Sequence, residues 1–224
     1  KGAPQGSPLG PFPWNVIASE LLAMKMPENV SLQAFADGLT ILVRGRSGMI
    51  LEQEAAKALG IIHTWSIQNE LTFNHNKCEF INLGNAYRNR PPLIIINGNP
   101  IKRVQQTKIL GVIFNNKLSF IPHLKAVKQK VQKITTALGK FTGTDWGMTP
   151  EHLRQIYFGS IERMIVYGAQ LYFPPICKRN KKNTEKVKQL KVIQRIPLSK
   201  IAKAFHTVSN ALLYIICNIP PIHL

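Results

Sequence analysis

The tetrapeptide Phe35-Ala36-Asp37-Gly38 constrains the fold of this chain more than any other stretch. It lies between apolar flanks, with Leu39, Ile41, Leu42 and Val43 directly after it. That pattern reads as strand, tight turn, strand, with the Asp37 carboxylate at the tip. Helical periodicity borders the hairpin on both sides. Trp14, Ile17, Ala18, Leu21 and Leu22 precede it and stop at Pro27. Leu51, Ala55, Ala58, Leu59, Ile62 and Trp65 follow it as one amphipathic stripe.

Further along, Leu71 and Phe73 predict the start of a short strand, residues 74–77 a turn, and Phe80, Ile81 and Leu83 another apolar segment. Leu93 to Ile96 predicts a strand, Asn97-Gly98 a hairpin turn, and Ile101 to Val104 the returning strand. Ile109 to Phe114 reads as one more strand. Beyond about Phe120 only helical signals remain. Leu124, Val127, Val131, Ile134 and Leu138 line one stripe, and Lys125, Lys128, Lys130 and Lys133 occupy the remaining arc. Leu153, Ile156, Tyr157, Ile161 and Met164 form a second helical face. Residues 177–191, which include Lys178-Arg179-Asn180-Lys181-Lys182, read as a basic loop. Ile196, Ile201, Ala202 and Phe205, then Val208, Leu212 and Ile215, predict two short helices. The expected fold class is α+β, mixed over residues 1–120 and all-helical over residues 121–224.

The chain has 224 residues, 45% of them hydrophobic, which is enough for a buried core. Its net charge is +18, with an isoelectric point near 10.1. A protein that basic usually meets a polyanion, and nucleic acid is the default partner. Composition alone also fits a ribosomal-type or merely solvated basic protein. The four lysines after Leu124 suit either a solvated back on a core helix or a helix laid along a phosphate backbone. The run at 178–182 suits a solvated linker, a nuclear address or a phosphate clamp. Cys78, Cys177 and Cys217 are odd in number and far apart, with no CxxC pair, which argues against a disulfide framework and a zinc ribbon. His75 and Cys78 have no second ligand pair after them. A reducing intracellular compartment, nuclear or cytoplasmic, is expected. No apolar run reaches the roughly 18 residues of a membrane span, so no membrane partner is expected. Lys1 opens directly into a Gly/Pro-rich stretch over residues 1–13, which reads as a piece of a longer protein.

The order of these segments resembles the reverse transcriptases of non-LTR retrotransposons, of the arthropod type with apurinic-like endonucleases. Pro4-Gln5-Gly6-Ser7 with Trp14-Asn15 resembles their PQGS box. Phe35-Ala36-Asp37-Gly38 resembles their F/Y-A-D-D box with its last Asp lost. Leu71-Thr72-Phe73-Asn74 with Lys77 looks like the next block. Leu110-Gly111-Val112, Leu118-Ser119-Phe120 and His123 look like the primer-grip block. Trp146-Gly147, Tyr167-Gly168, Gln194-Arg195, Ala204-Phe205, Thr207 and the tail from Pro220 resemble the thumb and connector.

The resemblance implies a partial right-hand polymerase palm and fingers over residues 1–120 and a helical thumb and connector over 121–224. It implies RNA-directed DNA polymerase activity, with an RNA template and a DNA primer as partners and Mg²⁺ as cofactor. Asp37 would be the catalytic carboxylate and metal ligand, and Lys77 would stabilise charge or donate a proton near the leaving pyrophosphate. Gln5, Gly6, Ser7 and Phe35 would meet the template or the incoming nucleotide, and Leu110 and Gly111 the primer end. Lys125, Lys128, Lys130, Lys133, Lys178, Arg179, Lys181 and Lys182 would contact the nucleic-acid backbone.

The departures bear on activity. Two-metal phosphoryl transfer needs several carboxylates converging on ions about 3.5–4 Å apart. This chain holds two aspartates, Asp37 and Asp145, and Gly38 stands where the family has its second hairpin Asp. The family's first catalytic Asp lies upstream of the PQGS box, and the chain starts after that point. Pro13, Ser19-Glu20 and Cys78 also depart from the family pattern. The expectation is a copy that does not polymerise. The alternatives are a basic nucleic-acid-binding remnant and a protein-interaction module.

Overall fold

Residues 11–68 fold as helix, hairpin, helix, as the periodicity predicts. In the computed structural model of the chain, residues 7–83, 91–96, 98–143, 146–172 and 181–222 are described. They fall into two units, residues 1–105 and residues 106–224. The first begins with α1 (Pro11–Ala23), which has proline in its first turn, where the missing N–H costs nothing. The hairpin follows as β1 (Val30–Phe35) and β2 (Gly38–Val43), antiparallel from Val30 opposite Val43 to Phe35 opposite Gly38. Alternate residues face inward, so Leu32, Leu39 and Ile41 pack on Leu21 of α1 and on Ile62 and Trp65 of α2. Helix α2 (Gly48–Gln68) starts at Ser47, whose hydroxyl accepts the Ile50 N–H.

The strand expected from Leu71 does not form. Glu70 takes a left-handed φ of +53°, and the Leu71 N–H donates back to Ser66 O at 2.8 Å while the Glu70 N–H donates to Ile67 O. This is a Schellman closure of α2. It turns Leu71 and Phe73 onto the hairpin core, so their apolarity serves packing, not a ladder. After a 3₁₀ turn at His75–Lys77, β3 (Glu79–Ile81) pairs in parallel with β6 (Lys102–Val104). Between them β4 (Ile95–Ile96) pairs antiparallel with β5 (Asn99–Pro100). Asn97 of the expected hairpin turn lies outside the described residues.

The second unit opens with another correction. Residues 109–114 are not one strand. β7 (Gln106–Ile109) and β8 (Val112–Asn115) form a hairpin that reverses at Leu110-Gly111. Both turn residues have positive φ, +47° and +85°, the signature of a type I′ turn. Asn115 then holds the chain entering α3 (Ile121–Gly139). Its side-chain oxygen accepts the Ser119 and Phe120 N–H groups, and its amide donates to Ser119 Oγ.

Leu124, Val127 and Val131 of α3 are buried as expected. They pack against α4 (Pro150–Ile156), a π-helical turn (Tyr157–Ile161), α5 (Glu162–Val166), α6 (Ala169–Tyr172), α7 (Lys181–Ile201) and α8 (Asn210–Cys217). The buried stripe here is Leu153, Tyr157, Ile161 and Ile165, not the set ending in Met164. A spacing of four drifts around an ideal 3.6-residue helix. The π turn underwinds the helix and keeps all four on one face.

Residues 181–191 are helical, so the basic loop expected there is corrected. One helix, α7, also replaces the first of the two predicted short helices and runs through Pro197. Its driving force is the row Leu190, Ile193, Gln194, Leu198 and Ile201, all buried. Gln194 is the polar centre of this unit. Its amide donates to Tyr157 Oη (3.1 Å) and to Pro220 O (2.9 Å), and its carbonyl accepts the Ile222 N–H (3.0 Å). Arg195 donates to His206 O, Val208 O and Asn210 Oδ1, which ties down the connection into α8. Burial pushes the Tyr157 and Tyr172 hydroxyls up to about 12.

His123 is buried on α3 and accepts the Ile113 N–H at Nδ1 (3.4 Å), which requires the neutral ring. Burial, with Lys130 adding to it, holds the imidazole below its ordinary value. The unfolded chain then binds a proton more readily than the folded one. Stability is expected to fall as pH drops below the ordinary histidine value of 6.5. Urea midpoints at about pH 7.5 and about pH 5.5 check this. The fall should shrink in His123→Gln, and an undiminished fall in that variant would assign it to other groups.

Candidate functional site

The Asp37 turn contains two residues, and its backbone is unusual. Ala36 has φ +50° while Asp37 does not cross into positive φ. That sign pattern belongs to a type II′ turn, which normally takes glycine at its first central position. An alanine there costs about 1 kcal/mol or more. The Trp14 indole N–H donates to the Ala36 carbonyl at 2.5 Å and fixes the turn from α1. The segment that follows the Gly/Pro-rich start and the Asp-bearing hairpin are thus joined by one hydrogen bond. The Asp37 carboxylate is exposed and accepts no hydrogen bond from the described residues. Phe35 beside it is 67% exposed.

Gly38 is not at positive φ, and a Cβ there would meet only Phe35 O, at 3.3 Å. The backbone would therefore accept a side chain with a shift of a few tenths of an ångström. No group of three or more His, Cys, Asp or Glu side chains converges among the described residues. One carboxylate on an open turn does not match the donor set of a divalent-cation pair. The described side chains therefore do not fit such a pair.

The other expected site residues of the first unit are less concentrated. Gln5 and Gly6 lie outside the described residues. Ser7 accepts the Leu9 N–H at its hydroxyl and the Gly10 N–H at its carbonyl, which starts α1. Lys77 ends the exposed 3₁₀ turn, and no hydrogen bond or ion pair joins it to Asp37.

Leu110 and Gly111 belong to the second unit. They form the β7–β8 tip, where Tyr167 donates its hydroxyl to Leu110 O at 2.8 Å. A Cβ on Gly111 would lie 3.3 Å from the Tyr167 ring, so glycine serves both the turn and this contact. The sequence marks Tyr167 only through the Tyr167-Gly168 pair of the thumb-like block, and nothing local in it points to the bond with the Leu110 turn.

The charge is concentrated in the second unit. Residues 106–224 hold 19 Lys and Arg against 4 Asp and Glu. Helix α3 contains four lysines and no acidic residue. Lys125, Lys130 and Lys133 are exposed and Lys128 is half-buried, and none pairs with a carboxylate among the described residues. Lys178 and Arg179 lie outside the described residues, and Lys181 and Lys182 begin α7. Among the described residues no helix is long and apolar enough to cross a membrane. Cys78 and Cys217 are unbridged, and burial raises both thiols, which disfavours the reactive thiolate.

An α+β chain with an Asp-tipped hairpin and a strongly basic helical unit has the features of a nucleic-acid polymerase. Residues 1–114 match the family described as reverse transcriptase (RNA-dependent DNA polymerase), and the chain belongs to that family. It is 29% identical over its whole length to a 115 kDa protein in type-1 retrotransposable element R1DM of Drosophila melanogaster, covering 21% of that protein. It is 29% identical over 174 residues, 77% of the chain and 17% of the relative, to the retrovirus-related Pol polyprotein from type-1 retrotransposable element R1 of Bradysia coprophila. The RNA-directed DNA polymerase from mobile element jockey of Drosophila melanogaster is 25% identical over 206 residues, 87% of the chain and 22% of the relative. The chain is thus a member of the reverse transcriptase family, with relatives in the R1 and jockey elements. It spans about a fifth of the length of these curated relatives. No solved structure matches it.

Proposed function

We propose that this chain is the template-holding portion of an RNA-directed DNA polymerase and that, by itself, it binds nucleic acid without extending a primer. The first unit corresponds to palm and fingers elements. The hairpin β7–β8 and the helices correspond to primer grip, thumb and connector. Partners are an RNA template and a DNA primer. Mg²⁺ is the ion the family resemblance implies, with Asp37 as the ligand this segment contributes. Lys77, Gln5, Gly6, Ser7, Phe35, Leu110 and Gly111 keep the substrate roles the resemblance implies. The observation that carries the reading is α3, a helix with four lysines, no acid and a buried opposite face.

Each lysine that neutralises a phosphate releases condensed counterions, so log affinity falls by roughly 0.7–0.9 per contact with log salt. Four contacts from α3 give a slope of about −3. Fluorescence anisotropy with an RNA–DNA template–primer across a salt series measures it. A flat response would favour the protein-interaction reading and contradict this one.

A further inference from the structure

A further small hairpin, pairing residues 141–143 with residues 146–148, presents an aromatic plate that the roles above leave unused. The Met148 N–H donates to Phe141 O and the Gly143 N–H donates to Trp146 O, each at 2.9 Å. Thr142 and Gly147 bridge between these bonds. Gly147 has φ +87°, and a Cβ there would collide with the Phe141 carbonyl, so the closure needs glycine. The hairpin is anchored twice. Thr142 Oγ1 donates to the end of α3, and Lys203 Nζ donates to Gly143 O at 2.7 Å.

The indole of Trp146 lies on Gly143. A Cβ at residue 143 would fall inside van der Waals contact with Nε1, Cδ1 and Cε2 of that ring. One face of the five-membered ring therefore rests on bare backbone. Trp146 is nevertheless 66% exposed, which leaves the other face open to solvent. Phe141, 59% exposed, belongs to the same hairpin. Lys140 immediately precedes it, and Lys133 lies two turns earlier on the exposed side of α3 with Gln129, Gln132 and Thr136. Neither lysine pairs with a carboxylate among the described residues. Asp145 lies outside them.

We propose that Trp146 is a stacking platform for an unpaired base of a nucleic-acid strand whose phosphates meet Lys133 and Lys140. This rests on the nucleic-acid reading above and adds a preference to it. A planar group with one open face complements a base, the exposed lysines at the end of α3 that lead into the hairpin suit the phosphates of the same strand, and stacking requires a base not already covered on both faces. An apolar protein partner would use the same ring but gains nothing from the surrounding excess of positive charge.

The test compares a single-stranded oligo(dT) with a blunt RNA–DNA duplex, by anisotropy on the full 224-residue chain. Trp146→Ala should weaken oligo(dT) binding about five- to a hundredfold, leave its salt slope unchanged, and leave duplex binding unchanged. Trp146→Phe should keep most of the single-strand affinity. The double variant Lys133→Gln, Lys140→Gln should instead reduce the salt slope on oligo(dT) by roughly 1.4. Thermal midpoints equal to that of the parent establish that the variants fold. Oligo(dT) binding within twofold of the parent in Trp146→Ala, or an equal loss on both probes, would overturn the stacking role and leave general nucleic-acid binding intact. If the parent chain binds neither probe, the underlying reading fails and this one with it.

Discussion

Incubated with a primed RNA, deoxynucleotides and either Mg²⁺ or Mn²⁺, the chain is expected to add no nucleotide to the primer. The reason is the donor set at the hairpin. Asp37 supplies one carboxylate, Gly38 supplies none, and no acidic cluster forms elsewhere among the described residues. Two cations at about 3.5–4 Å separation repel strongly unless several carboxylates share them. Gly38→Asp should not rescue the reaction, although the backbone admits the new side chain with a small shift at Phe35 O. It raises the hairpin's carboxylates from one to two, still short of the set two ions require. Extension above a heat-treated control, by the parent or by Gly38→Asp, would refute this account of the site. Binding of the same primed RNA by the inactive chain is expected to persist, since it depends on lysines in the other unit.

The largest loss of stability from a volume-conserving substitution is expected at Gln194→Leu. The amide is fully buried and satisfies the Tyr157 hydroxyl, the Pro220 carbonyl and the Ile222 N–H together. Leucine fills the space but leaves these groups without their partner. Each buried polar group left unpaired costs roughly 1–3 kcal/mol. Water can reach Pro220, which is exposed, but not the buried Tyr157. A net loss of about 2–5 kcal/mol follows, large against a typical domain stability of about 5–15 kcal/mol. The urea midpoint should drop accordingly, and the segment after Asn218 should become more sensitive to protease. A change under about 0.5 kcal/mol would show that the tail is held by Ile219 packing instead.

The sequence carried the hairpin, the two long amphipathic helices α2 and α3, and the change to all-helical structure, because each has a local period or turn signal. It failed where a local signal had two solutions. Leu71 and Phe73 alternate like a strand, yet Glu70 in a left-handed conformation closes α2 and sends them to the core. Ile109 to Phe114 is continuously apolar, and Leu110-Gly111 hides a turn that needs Tyr167 from far along the chain. The charge of residues 181–191 suggested a loop, whereas the spacing of Leu190, Ile193 and Gln194 makes them the start of a buried face. At the candidate site, Asp37 was legible as a tip residue. The bond from Trp14 to Ala36 was not, because a 22-residue contact leaves no periodic trace.

Nucleic acid is proposed to be held along the lysines of α3. The most direct measurement is the salt slope of template–primer binding for two quadruple variants. One replaces Lys125, Lys128, Lys130 and Lys133 of α3 with Gln. The other replaces Lys25, Arg44, Arg46 and Lys102, exposed cations of the first unit. The α3 variant should lose about 3 from the slope of log affinity against log salt, and the control variant should keep the parent slope. An unchanged slope in the α3 variant, or an equal loss in the control, would contradict the assignment of the binding face to α3.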